Sequence, residues 1–211
     1  LTMPKSRVPM YAGIAIVVMV LGAWSAQFIR SAPPQLSLSS GTLLQPTRPT
    51  TDFQLINSQN QPFSRTQLLG HWSVLFFGYT NCPDICPTTL STLAQVKKSL
   101  VNLPATKQPQ FVFVSVDPAR DNPSQLNNYV SFFDTHFIGL TGEQAQLDQL
   151  TKSLGVPVII QKNNDLNYTV DHAANLFLLN PAAELTAVFS PPHTTQTLAD
   201  DLRKVIERNT P

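Results

Sequence analysis

The sequence predicts an α/β domain, a central sheet flanked by helices, behind a single N-terminal transmembrane helix. Three observations predict it: an uncharged apolar run near the N-terminus, short continuous apolar segments further along, and amphipathic stretches that alternate with those segments. At 211 residues the chain can build one domain with its own core plus additional segments. Its formal charge is +1, only 13% of its residues are charged and no basic run occurs, so the electrostatic footprint of a nucleic-acid binder is missing. The 18 prolines stand at the edges of apolar runs, where they punctuate elements and form no repeat.

The elements follow in chain order. Residues 1–7 read as a short cytoplasmic N-terminus and residues 8–29 as a membrane span, because those 22 residues carry no formal charge. A helix of that length, rising about 1.5 Å per residue, crosses a hydrocarbon core of roughly 30 Å. Lys5 and Arg7 precede the run while Arg30 alone follows before Arg48, which places the N-terminus inside and the rest outside. A cleaved signal peptide is the competing reading, with Ala23 and Ser25 as small residues, but the run exceeds the usual h-region. The expected location is the cell inner membrane of a bacterium, single-pass, with the domain facing the periplasm. Residues 30–51, rich in Ser, Thr and Pro, read as a flexible linker.

From residue 52 to 211 the pattern is that of a folded domain. TTDFQLIN opens it as a strand, and WSVLFFGY (72–79) and FVFVSVD (111–117) are apolar runs suited to strands buried on both faces. Between them, residues 88–101 place Leu90, Leu93, Ala94, Val96, Lys97 and Leu100 at spacings that give a largely apolar helix face. Residues 123–133 and 143–154 predict two more helices, VPVII and NLFLL two more strands, LTAVF an edge strand, and residues 194–207 a closing helix.

Cys82 and Cys86, the only cysteines, sit just past the C-terminal end of the first buried strand, where a helix begins. Ligands and chemistry collect at that end of open α/β sheets, and a helix N-terminus favours thiolate over thiol. Pro87 biases Cys86 away from the helical region, so both cysteines are expected on a turn leading into the helix. Four steps of helix-like backbone put their Cα atoms roughly 6 Å apart, which permits a disulfide or a two-thiolate clamp. A purely structural disulfide is the weaker reading, since closing so small a loop removes little chain entropy. Soft sulfur donors select Cu(I), zinc or iron–sulfur chemistry, and an added imidazole suits copper. Of the four histidines, His71, His136 and His193 read as surface or capping residues, while His172 in YTVDHAANLFLLNP directly precedes a strand-like run.

The segments FGYTNCPDICPTTL, VSVDPARDNPSQLNNYV, FIGLTG and VDHAANLFLLNP, in that order, resemble the Sco/SenC family of copper-binding, thioredoxin-like proteins over residues 50–189. The resemblance implies a thioredoxin-like fold tethered to the membrane and a copper site formed by Cys82, Cys86 and His172. It also implies a role as a metallochaperone, with copper as Cu(I) or Cu(II), that helps build the dinuclear copper centre of cytochrome c oxidase. The implied partners are the oxidase's copper-binding subunit and, upstream, another copper chaperone or a thiol reductant. Asp171 either orients the imidazole or is exposed, and Asp117, Arg120 and Asp121 are expected to organise the neighbouring loop, with partner docking as the alternative. NPAAEL lacks the glycine usual in that family's turn. The rival reading is a membrane-tethered thiol-disulfide reductase using the same pair. A thiol peroxidase would want Pro and Thr where Leu75 and Tyr79 stand.

Overall fold

The computed structural model describes residues 16–22, 24, 36–164, 167–172 and 174–208. It divides into two units, Leu1–Gln35 and Leu36–Pro211. In the first, the described residues 16–22 and 24 are helical, and the rest of the expected span over residues 8–29 lies outside the described residues. Among the described residues no helix is long and apolar enough to cross a membrane. A helix over residues 16–22 rises about 10 Å against the roughly 30 Å a span requires. The expected inner-membrane, periplasm-facing placement is therefore corrected.

The second unit is a mixed sheet flanked by helices. Its eight strands run in the order β1-β10-β9-β4-β5-β6-β2-β3. In chain order these are β1 (Gly41–Pro49), β2 (Gln54–Asn57), β3 (Pro62–Ser64), β4 (Ser73–Gly78), β5 (Gln110–Ser115), β6 (Ile138–Thr141), β9 (Leu176–Leu179) and β10 (Glu184–Phe189). A separate two-stranded ribbon pairs β7 (Val158–Asn164) with β8 (Asn167–His172). The helices are α1 (Ile85–Ser99), α2 (Pro123–Phe133), α3 (Gln144–Leu154) and α4 (Thr195–Arg208). Strands β4, β5 and β6 are parallel, joined through α1 and α2, whereas β9 runs antiparallel to β4.

All six residues of β4 and all four of β9 are buried, as continuous apolar runs in sheet interiors should be. Phe76 and Phe77 are fully buried, each worth about 1.5–3 kcal/mol of transfer free energy. Phe77 meets Phe177 edge-on at 5.6 Å, fastening β4 to β9. Helix α1 packs against both α2 and α4.

Three local expectations differ from the structure. Cys86 lies inside the first turn of α1, not on a turn before it. First-turn amides have no intrahelical acceptor, so Pro87 forfeits no bond there and the helix can begin at Ile85. Part of the expected linker forms β1, which covers the outer side of β10 and removes LTAVF from the sheet edge. The run VPVII contributes to β7 in the separate ribbon, since its polar continuation QKNN suits a ribbon better than a sheet interior. In the β9–β10 turn, Ala183 adopts φ +56, so the left-handed conformation remains although no glycine supplies it.

Candidate metal centre

The site is built from the C-terminal end of β4 outward. After Gly78 the chain turns tightly, with Cys82 N–H donating to the Tyr79 carbonyl at 3.2 Å. Helix α1 then begins behind Asp84, whose side chain makes no capping bond. The sulfur of Cys82 occupies that role: Cys86 N–H donates to Cys82 Sγ at 3.4 Å. A cysteine sulfur thus sits where the orphan amides and dipole of a helix N-terminus concentrate positive potential.

Cys86 is fully buried and Cys82 is 8% exposed. A hydrogen bond with Cys82, then burial, push the Cys86 thiol far above its ordinary value. Cys86 is therefore held as a neutral thiol in the metal-free protein, and a soft cation that displaces thiol protons here would meet two sulfur donors at once. This donor set fits copper.

Gly78 makes the close packing possible. A Cβ there would stand 2.6 Å from Cys86 Sγ and 2.7 Å from the Phe113 ring. Phe113 in turn packs on Phe76 at 5.8 Å and on Tyr129 at 5.6 Å. The Tyr129 hydroxyl is buried without a hydrogen-bond partner among the described residues, and burial, then the neighbouring cysteines, raise its pKa.

Asp121 fixes the turn from the other side. Its buried carboxylate accepts from Thr80 N–H at 2.9 Å, Thr80 Oγ1 at 2.6 Å and Ser115 Oγ at 2.6 Å. Burial raises its pKa, and the Ser115 and Thr80 bonds oppose that rise. Arg120 Nε bonds Asp117, and its guanidinium lies over the Tyr79 ring at 5.6 Å. The VDPARD loop organises the cysteine turn, as its position in the sequence suggested.

The histidine side reaches the same end of the sheet by topology. Leu176, at the start of β9, pairs with Phe76 near the end of β4. The residues that enter β9, 174 and 175, therefore arrive where the cysteine turn departs. On the ribbon, His172 pairs with Val158 and Asp171 with Ile159, while both side chains lie outside the described part. Among the described residues no three His, Cys, Asp or Glu side chains form a metal cluster.

The remaining histidines separate cleanly. His71 lies before the opposite end of β4, and His136 is largely exposed beside Asp134. The sequence predicts a surface or capping role for His193, yet its Nε2 donates to the Ala174 carbonyl at 2.6 Å. No local pattern in SPPHTT signals a bond to a residue 19 positions earlier.

A family model described as SCO1/SenC matches residues 42–207. A protein of Stutzerimonas stutzeri, whose name proposes that it binds copper, is 40% identical over 167 residues, covering 78% of this chain and 80% of that one. The mitochondrial SCO2 homolog of Homo sapiens is 32% identical over 184 residues, covering 87% and 69%. The crystal structure of Arabidopsis thaliana ScoI with copper bound superposes with a TM-score of 0.70 at 31% identity, covering 75% of this chain and 98% of that one. The relatives thus include a protein named as mitochondrial, a further departure from the periplasmic expectation. Its thioredoxin-like α/β fold, its cysteine turn and these matches make the chain a member of the SCO1/SenC family.

Proposed function

We propose that this chain is a copper metallochaperone whose domain, expected over residues 52–211, holds one copper through Cys82, Cys86 and His172. It delivers that copper toward the dinuclear site in the copper-binding subunit of cytochrome c oxidase. The observation that carries this reading is the hydrogen-bonded sulfur pair at the N-terminus of α1. Support comes from the topology that brings the segment after His172 to the same strand end, and from the copper-bound relative. Two thiolates and an imidazole suit Cu(I) and tolerate Cu(II), and three donors leave a coordination position for a ligand of the receiving protein.

The same pair favours a second reading, a thiol-disulfide reductase for the oxidase's copper-site cysteines. Oxidation of the pair removes two electrons and two protons and leaves no thiolate donor, so copper binding and disulfide formation exclude each other. A competition titration of the fully reduced protein against a Cu(I) chelator separates the two. One tightly bound copper is expected, lost when both cysteines become serine and weakened at least about tenfold by His172→Ala. Reduced protein without tight copper would overturn the chaperone reading in favour of the reductase.

A further inference from the structure

The geometry points to His193 as a positioning residue for the copper site, acting on the segment that carries His172 through the Ala174 carbonyl. This rests on the reading of His172 as a copper ligand. The β10–α4 connection lies at the site end of the sheet, because Phe189, the last residue of β10, pairs with Leu176, the first of β9. Three segments thus converge there: the cysteine turn, residues 174–175 leading into β9, and residues 190–194.

The last of these is held firmly. Ser190 N–H bonds the Ser40 carbonyl at 3.0 Å, and the Thr194 hydroxyl caps α4 by accepting from Thr197 N–H at 3.3 Å. Pro191 and Pro192 fix two backbone φ angles directly before His193. From this frame the imidazole extends to the buried Ala174, and the nitrogen that meets a carbonyl must be the one carrying hydrogen. Its other nitrogen, Nδ1, is buried with no partner among the described residues, so the bond to Ala174 is the ring's one polar attachment there. A ligand two residues from a pinned carbonyl has fewer backbone arrangements to lose when metal binds, and that preorganisation appears as affinity.

The test compares His193→Gln, His193→Asn and His193→Ala in the full chain, with His172→Ala alongside. Glutamine places an amide N–H at about the reach of Nε2, whereas asparagine stops short of it. Cu(I) affinity should fall about tenfold in the alanine and asparagine variants and stay within about threefold of the parent in the glutamine variant. X-ray absorption of the loaded variants should show weakened imidazole scattering with both sulfurs kept, and amide exchange of the metal-free protein should rise across residues 167–176. Equal affinity in the glutamine and asparagine variants, or parental affinity in the alanine variant, would overturn the role of His193. Parental affinity in His172→Ala would instead overturn the ligand reading on which it rests.

Discussion

The two halves of the proposed copper site are made differently. The cysteine half grows from the domain's interior: β4 is buried at every residue, Gly78 and Phe113 wall in Cys86, and Asp121 ties Thr80 to the neighbouring loop. The segment that carries His172 belongs to a separate two-stranded ribbon among the described residues, and the chain rejoins the sheet at Leu176. Its attachment runs through Ala174, His193 and the residues behind them. Core packing therefore fixes the sulfurs, whereas the backbone that follows the proposed histidine ligand is held at Ala174 by a single side-chain bond among the described residues, from His193. Changes in the first half should move stability and copper together; changes in the second should separate them.

Gly78→Ala tests the first half most severely. The added methyl overlaps Cys86 Sγ and the Phe113 ring, and overpacking of this kind costs about 1–3 kcal/mol. Tm should fall by roughly 3–10 °C in a calorimetric scan, with Cu(I) affinity falling in the same variant. A variant that kept its stability but lost copper would break the coupling claimed for this half.

On the other half, Asp201 anchors the chain beside the His193 loop. Its carboxylate accepts from Ser39 N–H at 3.0 Å, Ser40 N–H at 2.8 Å and Ser40 Oγ at 3.1 Å, and Ser40 bonds Ser190. Burial raises its pKa, but the Ser39 and Ser40 bonds more than offset this and leave it below the ordinary 3.8. The unfolded chain therefore takes up this proton first. The stabilisation is complete above about pH 3.8 and is lost as pH falls through the lower folded value. Asp201→Asn should cost about 1–2 kcal/mol at neutral pH and flatten the acid limb of denaturant-derived stability, while cysteine-only binding stays intact. An unchanged acid limb would remove Asp201 from the frame of the histidine half.

The smallest effect has the opposite sign. Ala183→Gly relieves a left-handed residue in the β9–β10 turn and should stabilise by about 0.5–1 kcal/mol. That turn is at the far end of β9 from His172, so copper affinity should not change. A shift in affinity would mean that strain in this hairpin reaches the site.

Much of this was legible in the sequence, and the reasons differ by residue. WSVLFFGY and NLFLL declare buried strands by composition alone, and two cysteines before an amphipathic run identify their own neighbourhood. β1 was hidden because GTLLQPTRP has a linker's composition, and its strand character comes from pairing with β10. VPVII read as a sheet strand because an apolar run does not say which strand it will pair with. Pro87 misled about Cys86 because a bias at one residue yields to the satisfied first turn of a helix. Asp121 was visible as a loop organiser, but the bond between His193 and Ala174 has no sequence signature, since only the antiparallel return of β10 beside β9 brings the two together.

The unequal burial of the two sulfurs sets an order of events. Cys86 is sealed beneath Gly78 and Phe113, while Cys82 retains a small opening to solvent. On the proposed function, a thiolate arriving from another protein would reach Cys82 first, so release would proceed stepwise with Cys86 as the last sulfur to let go. On that reading the cargo would never have to pass through a free aqueous ion.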